Sequence, residues 1–308
     1  MQASVGIIGM GWVGSSVAIS LLHAGAAREL LVYDLRQALA EGEAMDLAQG
    51  ASFYPPATVR VASIAEMKER CDVIVIAAGR GAIPGGVDRL AALQHTVGIV
   101  RDLGAQLAGY GGLVIIVTNP VDVLTAVFAD AAQMHATRVI GTGTMLDTAR
   151  LRQVMSMELG LVAQSIHAYV VGEHGDSEVV LWSTARVGAT ALRTWPGWDG
   201  SREAILAEQV RRAGYEIVNR KGATNHAIGL VTARLLRGIL RGERQVLAIS
   251  KVQEEGPYRG IALSLPTVVG GDGATLVVTP ELSPEEGAAL DRSSEVLRKA
   301  LASVGHAT

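Results

Sequence analysis

Five things are scarce or missing in this sequence, and each absence closes off a class of protein. Cysteine occurs once, at Cys71, so no intrachain disulfide can form. The first strand-like run begins almost at Met1, with no charged-then-apolar leader before it, and a cytoplasmic protein is expected. The longest apolar runs, such as LVIIV at 113–117, fall far short of the roughly 20 residues a membrane helix requires, so a soluble chain with no membrane partner is expected. No run of Lys and Arg stands out, and a net charge of −3 sets up no field that would collect nucleic acid. No set of His, Cys or carboxylate residues has metal-ligand spacing, so no metal is expected.

What is present is core-forming material: 308 residues, 49% hydrophobic and 19% charged, enough for one two-lobed globular protein or two domains. β-Branched runs recur at VGIIG (5–9), ELLVY (29–33), TVRVA (58–62), DVIVIAA (72–78), GLVIIV (112–117) and RVIG (138–141), with mostly helical intervals between them. Between Trp12 and Ala24, for instance, Val13, Val17 and Leu21 repeat at helical spacing and Gly25 is the stop signal. This is the grammar of a doubly wound parallel α/β sheet of Rossmann type over residues 1–141. After residue 142 longer helical stretches, 146–160 and 201–222, mix with the strand-like AYVVG, QVLAIS and GIALSLP, and an α+β second domain over 142–308 is expected. TWPGWDGS at 194–201 reads as a surface connection.

Residues 9–14, GMGWVG, fit G-x-G-x-x-G between a first strand and a helix. Gly9 permits the tight turn, Gly11 lets a pyrophosphate approach the backbone, and Gly14 allows close helix packing, while the helix N-terminus offers free N–H groups. Asp34 ends the second strand twenty residues after Gly14, where a carboxylate can bind ribose hydroxyls and repel a 2′-phosphate. NAD is therefore expected rather than NADP, with Arg36 nearby keeping the alternative open. A structural glycine turn with a solvated Asp34 is the plainer account.

GEHGDSE at 172–178 sets His174 between glycines, which makes it the best of seven histidines for proton transfer near neutrality. His23 and His135 sit at helix ends, and His306 lies in a tail expected to fray. A histidine acid needs an orienting carboxylate, and LDTAR offers Asp147 with Arg150 three residues on, sharing a helix face. Arg150 could grip a substrate carboxylate with its fork of N–H donors. In isolation, a surface ion pair is the simpler reading of Asp147 and Arg150.

GMGWVG, Asp34, GEAMDLAQG (42–50), VTNPVDVLT (117–125), GTGTMLDTARLR (141–152), GEHGDSE and KGAT (221–224) occur in the order and spacing of the L-lactate/malate dehydrogenase family, which the chain resembles over essentially its whole length. NPVDVLT and GTGTMLDTARLR are similar to the bacterial L-lactate side of that family. The resemblance implies His174 as proton donor and acceptor, Asp147 as its orienting carboxylate, Arg150 as partner of the substrate carboxylate, and Arg89 as the group polarising the C2 carbonyl. It implies Asn119 beside that carbonyl, and Thr224 and Ile228 beside the nicotinamide. For NAD it implies Gly9, Gly11, Trp12, Val13, Gly14, Asp34, Gly79, Val117, Asn119, Thr142 and Ile228. It also implies a homotetramer, with Arg152 and His167 at the positions where allosteric relatives carry fructose 1,6-bisphosphate ligands; local roles for both are the alternative.

GRGAIPGGVDR at 79–89 then reads as the lid over a small 2-oxo or 2-hydroxy acid. The residue that usually selects the substrate falls on Ile83 counting back from Arg89, or on Ala82 if the Pro-Gly step is aligned. Neither is polar, which suits pyruvate or a bulkier aliphatic 2-oxo acid; a malate site would need Arg80 to meet the second carboxylate. Thr96, where the family commonly has Asn, is a second departure. The expectation is an NAD-dependent L-lactate or broader L-2-hydroxy-acid dehydrogenase, with a malate dehydrogenase or an inactive dinucleotide binder as alternatives.

Overall fold

The computed structural model describes residues 3–79 and 89–306. The first half alternates strand and helix: β1 (Ser4–Ile8), α1 (Trp12–His23), β2 (Glu29–Tyr33), α2 (Gln37–Gln49), β3 (Thr58–Val61), α3 (Ile64–Arg70), β4 (Val73–Ile76), α4 (Arg89–Gln106), β5 (Leu113–Ile116), α5 (Val121–Ala132) and β6 (Val139–Gly141). The second half begins with α6 (Met145–Leu159) and five two-residue strands, β7 (Ile166–His167), β8 (Val170–Val171), β9 (Val179–Val180), β10 (Arg186–Val187) and β11 (Thr190–Ala191). It ends with α7 (Arg202–Lys221), α8 (His226–Leu240), β12 (Gln245–Val252), β13 (Ala262–Gly270), β14 (Gly273–Val277) and α9 (Pro284–Ser303).

Six parallel strands run in the order β3-β2-β1-β4-β5-β6, and an antiparallel meander β12-β13-β14 extends the same sheet beyond β6. The apolar strands alternate between two cores, as strands covered on both faces must. Ile74, Ile76, Val114 and Ile116 face the core shared with α5 and α9, while Val73, Val75, Leu113 and Ile115 face the one shared with α1 and α8. Chain direction across the sheet reverses between β1 and β4, so the connections leaving their carboxyl ends part there and open a crevice.

A third core joins α6, α7 and the short strands. The connection at 194–201 runs over the surface and is anchored to this core by two half-buried rings: Trp195 and Trp198 pack against it, and the Trp198 ring lies 6.2 Å from that of Trp182. Turn residues punctuate the segment, but its aromatic rings have apolar area to bury. The C-terminal end is likewise not loose. Leu301 and Val304 are buried, and they carry His306 down to 11% side-chain exposure beside Asp130.

Candidate active site

The dinucleotide segment has the backbone that its glycines permit. Gly9 has φ +99°, and a Cβ there would lie 2.5 Å from the Ala78 nitrogen. A Cβ at Gly14 would meet the Gly9 oxygen, whereas one at Gly11, which caps α1, would meet nothing within 4 Å. The backbone at Gly11 is thus open to an incoming group at a helix N-terminus, where N–H groups await an anion. Trp12 is exposed and Val13 half-buried beside it.

Asp34 follows β2 with a side chain only 11% exposed. Its Oδ2 accepts the Met10 N–H at 2.9 Å and its Oδ1 accepts the Arg36 N–H at 2.9 Å, so the carboxylate ties the strand end to the glycine turn. The Arg36 guanidinium pairs with Asp34 Oδ1 at 3.4 Å instead of standing free for a phosphate. A cleft of about 460 Å³ opens here between Asp34, Leu35, Gln37, Ala62 and Ser63. Gly79, Val117, Asn119 and Thr142 follow β4, β5 and β6 along the same sheet edge. Val117 and Thr142 are buried, and Asn119, joined to Pro120 by a cis peptide, accepts the Val121 N–H through Oδ1 at 3.2 Å. Thr96 is buried near Gly79.

The opposite wall comes from the second half. α6 places Asp147 and Arg150 on one face, and Arg150 Nη1 donates to Asp147 Oδ1 at 2.9 Å. This is no surface pair: the side chains are 3% and 16% exposed. The other oxygen, Oδ2, lies 2.5 Å from His174 Nδ1. One buried carboxylate therefore holds both cations. Burial alone would lower the histidine's proton affinity, but the Asp147 charge and hydrogen bond outweigh it and raise the pKa to about 9. Burial pushes Asp147 the other way, and the His174 and Arg150 cations prevail to hold its pKa below the usual carboxylate value.

The loop bearing His174 is pinned by its main chain. The Glu173 N–H donates to Ser293 Oγ of α9 at 2.8 Å and the His174 N–H to Asp122 Oδ2 of α5 at 2.7 Å. Asp122, at 2% exposure, and Glu178, at 7%, were given no role by sequence. Burial pushes Asp122 up to about 6 and Glu178 to about 8, the latter reinforced by the Asp147 charge. Both lie inside quoted motifs, and the available signal was an acid embedded in the apolar runs VDVLT and SEVVL.

Thr224 lies between α7 and α8, half-buried, and Ile228 sits in the first turn of α8. Asn225 Nδ2 donates to Ser16 Oγ at 2.9 Å, fastening this segment to α1. Away from the crevice, Arg152 Nε donates to the Ala168 carbonyl at 3.1 Å and its guanidinium carbon stands 5.3 Å from the Tyr169 ring centre. His167 is exposed on β7, paired in register with Arg186 of β10. The structure thus brings Asp147, Arg150 and His174 together, and sets Arg152 against Ala168 and Tyr169, the two residues that follow His167. Arg80, Ala82, Ile83 and the side chain of Arg89 lie outside the described residues; the Arg89 backbone opens α4.

Residues 3–141 match the family model for the lactate/malate dehydrogenase NAD binding domain, and residues 144–308 match the lactate/malate dehydrogenase alpha/beta C-terminal domain. The chain belongs to the lactate/malate dehydrogenase family. It is 38% identical over 302 residues to the L-lactate dehydrogenase of Synechococcus sp. (strain JA-3-3Ab), covering 97% of this chain and 98% of that one. With the L-lactate dehydrogenase of Salinibacter ruber it shares 39% identity over 305 residues, 96% of each chain. The crystal structure of minor L-lactate dehydrogenase from Enterococcus mundtii superposes with a TM-score of 0.94 at 33% identity, covering 98% of both chains. As a lactate/malate dehydrogenase the chain is an NAD-dependent oxidoreductase, and the glycine turn, open helix end and Asp34 suit that cofactor.

Proposed function

We propose that this protein is an NAD-dependent L-lactate dehydrogenase, or a broader L-2-hydroxy-acid dehydrogenase, reducing the C2 carbonyl of a 2-oxo acid. The observation that carries the reading is the line Arg150–Asp147–His174, with two half-buried cations on one buried carboxylate. Gly9, Gly11, Gly14 and Asp34 would hold the nicotinamide cofactor, whose reduced form would supply the hydride. Arg150 takes the substrate carboxylate in its remaining N–H donors. His174 Nε2 gives its proton to the C2 oxygen, and Asp147 stabilises the imidazolium and fixes the ring. Arg89 polarises the carbonyl in a site closed to water. Asn119 bonds near that carbonyl, and Thr224 and Ile228 border the nicotinamide.

Ala82 or Ile83 stands in the selector place, so an aliphatic 2-oxo acid is the substrate we favour. The proposal extends to a cytoplasmic homotetramer regulated by fructose 1,6-bisphosphate at Arg152 and His167. Support for assembly comes from apolar side chains left in water, Phe53 at 87% exposure, Leu230 at 65% and Met45 at 64%. The test is turnover of pyruvate, oxaloacetate, 2-oxobutyrate and 2-oxoisocaproate with NADH, each with and without the bisphosphate. Pyruvate or a longer aliphatic acid is expected to win, and preference for oxaloacetate would assign malate chemistry through Arg80. Unchanged kinetics on adding the bisphosphate would remove the regulatory role. His174→Ala is expected to abolish turnover with NADH binding intact, whereas lost NADH binding would make the residue structural.

A further inference from the structure

Asp122 raises a question that the proton-transfer line does not answer. It sits in the first turn of α5, on the cofactor side of the crevice, and is 2% exposed. A carboxylate in that position costs free energy unless something uses its charge. One oxygen, Oδ2, accepts the main-chain N–H of His174 at 2.7 Å, a contact that spans 52 residues of chain. The other, Oδ1, is buried without a hydrogen-bond partner. The Ser250 hydroxyl of β12 lies close enough to favour the ionised form of Asp122.

The neighbouring main-chain anchors on this loop are neutral. Glu173 N–H goes to the Ser293 hydroxyl, and Gly172 exchanges both backbone bonds with Ser264. Of the three main-chain anchors at Gly172, Glu173 and His174 that tie this loop to other elements, only that of His174 is an ionisable group, while the Ser177 N–H bonds within the loop to Glu173 Oε2 at 3.2 Å. The charged groups around its ring are Asp147 and Arg150 from α6 and Asp122 from α5; Glu173 and Glu178 of the loop itself lie nearby. Asp122 and Asp147 thus approach the same histidine from opposite domains, one through its backbone and one through its ring.

We propose that Asp122 is a positioning residue for the proton-carrying histidine: it locks the His174 backbone to the cofactor-side helix, and its negative charge adds to that of Asp147 in holding the imidazole proton. The proposal rests on His174 as the proton carrier. Where His174 titrates, near pH 9, Asp122 is ionised, since its own pKa lies at about 6. Its full charge therefore acts on the histidine there.

Two variants separate the roles. Asp122→Asn keeps an oxygen for the His174 N–H but removes the charge, and Asp122→Ala removes both. With ring-¹⁵N histidine, NMR titration of the substrate-free protein is expected to show His174 losing its proton at lower pH in Asp122→Asn than in the parent. The alkaline limb of kcat/KM for 2-oxo acid reduction should shift the same way. Asp122→Ala is expected to lose kcat on the order of tenfold to a hundredfold at unchanged NADH affinity, with Asp122→Asn partly restoring it. A His174 titration unmoved in Asp122→Asn, or full kcat in Asp122→Ala, overturns the proposal. Should Asp122→Ala not fold, the Asp122→Asn titration decides. That titration needs no turnover, so a parent inactive on every 2-oxo acid would defeat the dehydrogenase reading while still leaving the Asp122–His174 link measurable.

Discussion

At the scale of single residues, the site turns on how one carboxylate divides itself. Asp147 gives one oxygen to Arg150 and the other to His174, and the second contact keeps the imidazole protonated up to about pH 9 in spite of its partial burial. Reduction consumes that proton and oxidation needs the neutral ring. The rate of 2-oxo acid reduction is therefore expected to hold steady below about 9 and fall above it, while hydroxy-acid oxidation rises over the same range. Asp147→Asn keeps the shape but leaves two cations facing an amide. It should move the reduction limb to lower pH and cut kcat by about a hundredfold or more, as pH–rate profiles of both proteins would show. An unmoved limb would separate Asp147 from the proton. These residues were legible because their local sequence isolates them: glycines flank His174, and Asp147 and Arg150 share a helix turn. Asp122 and Glu178 were not. Their surroundings are assembled by α5, α6 and α7 from distant parts of the chain, and no spacing rule reports a partner 52 residues away.

At the scale of elements, the most extensive helix–helix contact between the two halves is α8 lying along α1. Gly229 makes it possible: a Cβ there would stand 2.6 Å from the Ser16 oxygen and 2.7 Å from its carbonyl carbon. The backbones of the two helices touch, and the Asn225–Ser16 hydrogen bond fastens the end nearest Thr224 and Ile228. Gly229→Val must part the helices, tilting Thr224 and Ile228 away from the dinucleotide turn that α1 begins. We expect a destabilisation of about 1–3 kcal/mol in urea unfolding. NADH binding, followed by fluorescence, should weaken as well. Weakened stability with unchanged NADH affinity would show that α8 packs without shaping the cofactor site. The strand positions of the first half could be read from sequence because both-face burial imposes continuous β-branched runs, and β2 occupies the residues its apolar run marks, 29–33. That reading did not mark α8 or β14 as elements. α8 carries two glycines that serve packing, and β14 is a short glycine-led strand defined by the meander it closes. The start of α9 was in the sequence to be seen, since Ser283 and Glu286 form a reciprocal cap around Pro284.

For the whole molecule, the same buried groups set how stability changes with pH. His174 holds its proton to about 9 when folded, against 6.5 as a free side chain, so its contribution is complete below 6.5 and is lost as pH rises to about 9. Glu178 is pushed up from 4.5 to about 8 by burial first and then by Asp147, and Asp122 from 3.8 to about 6 by burial. Both bind a proton more tightly folded than unfolded, so both add stability that fades upward through those windows. Asp147 works in the opposite sense, contributing above 3.8 and failing as acid protonates it. Between 6.5 and 8 the His174 and Glu178 contributions fall together, and among the described residues of this site Asp147, whose sign is opposite, has its window at acid pH. Urea midpoints are expected to decline across that interval. Glu178→Gln removes one of the two sources, since a neutral amide in the same place carries no ionisation penalty. Its stability relative to the parent should climb as pH rises from about 4.5 to 8 and level off beyond. Unfolding at pH 5, 7 and 9 measures this directly, and a difference that stays constant with pH would show that Glu178 is already ionised in the folded protein.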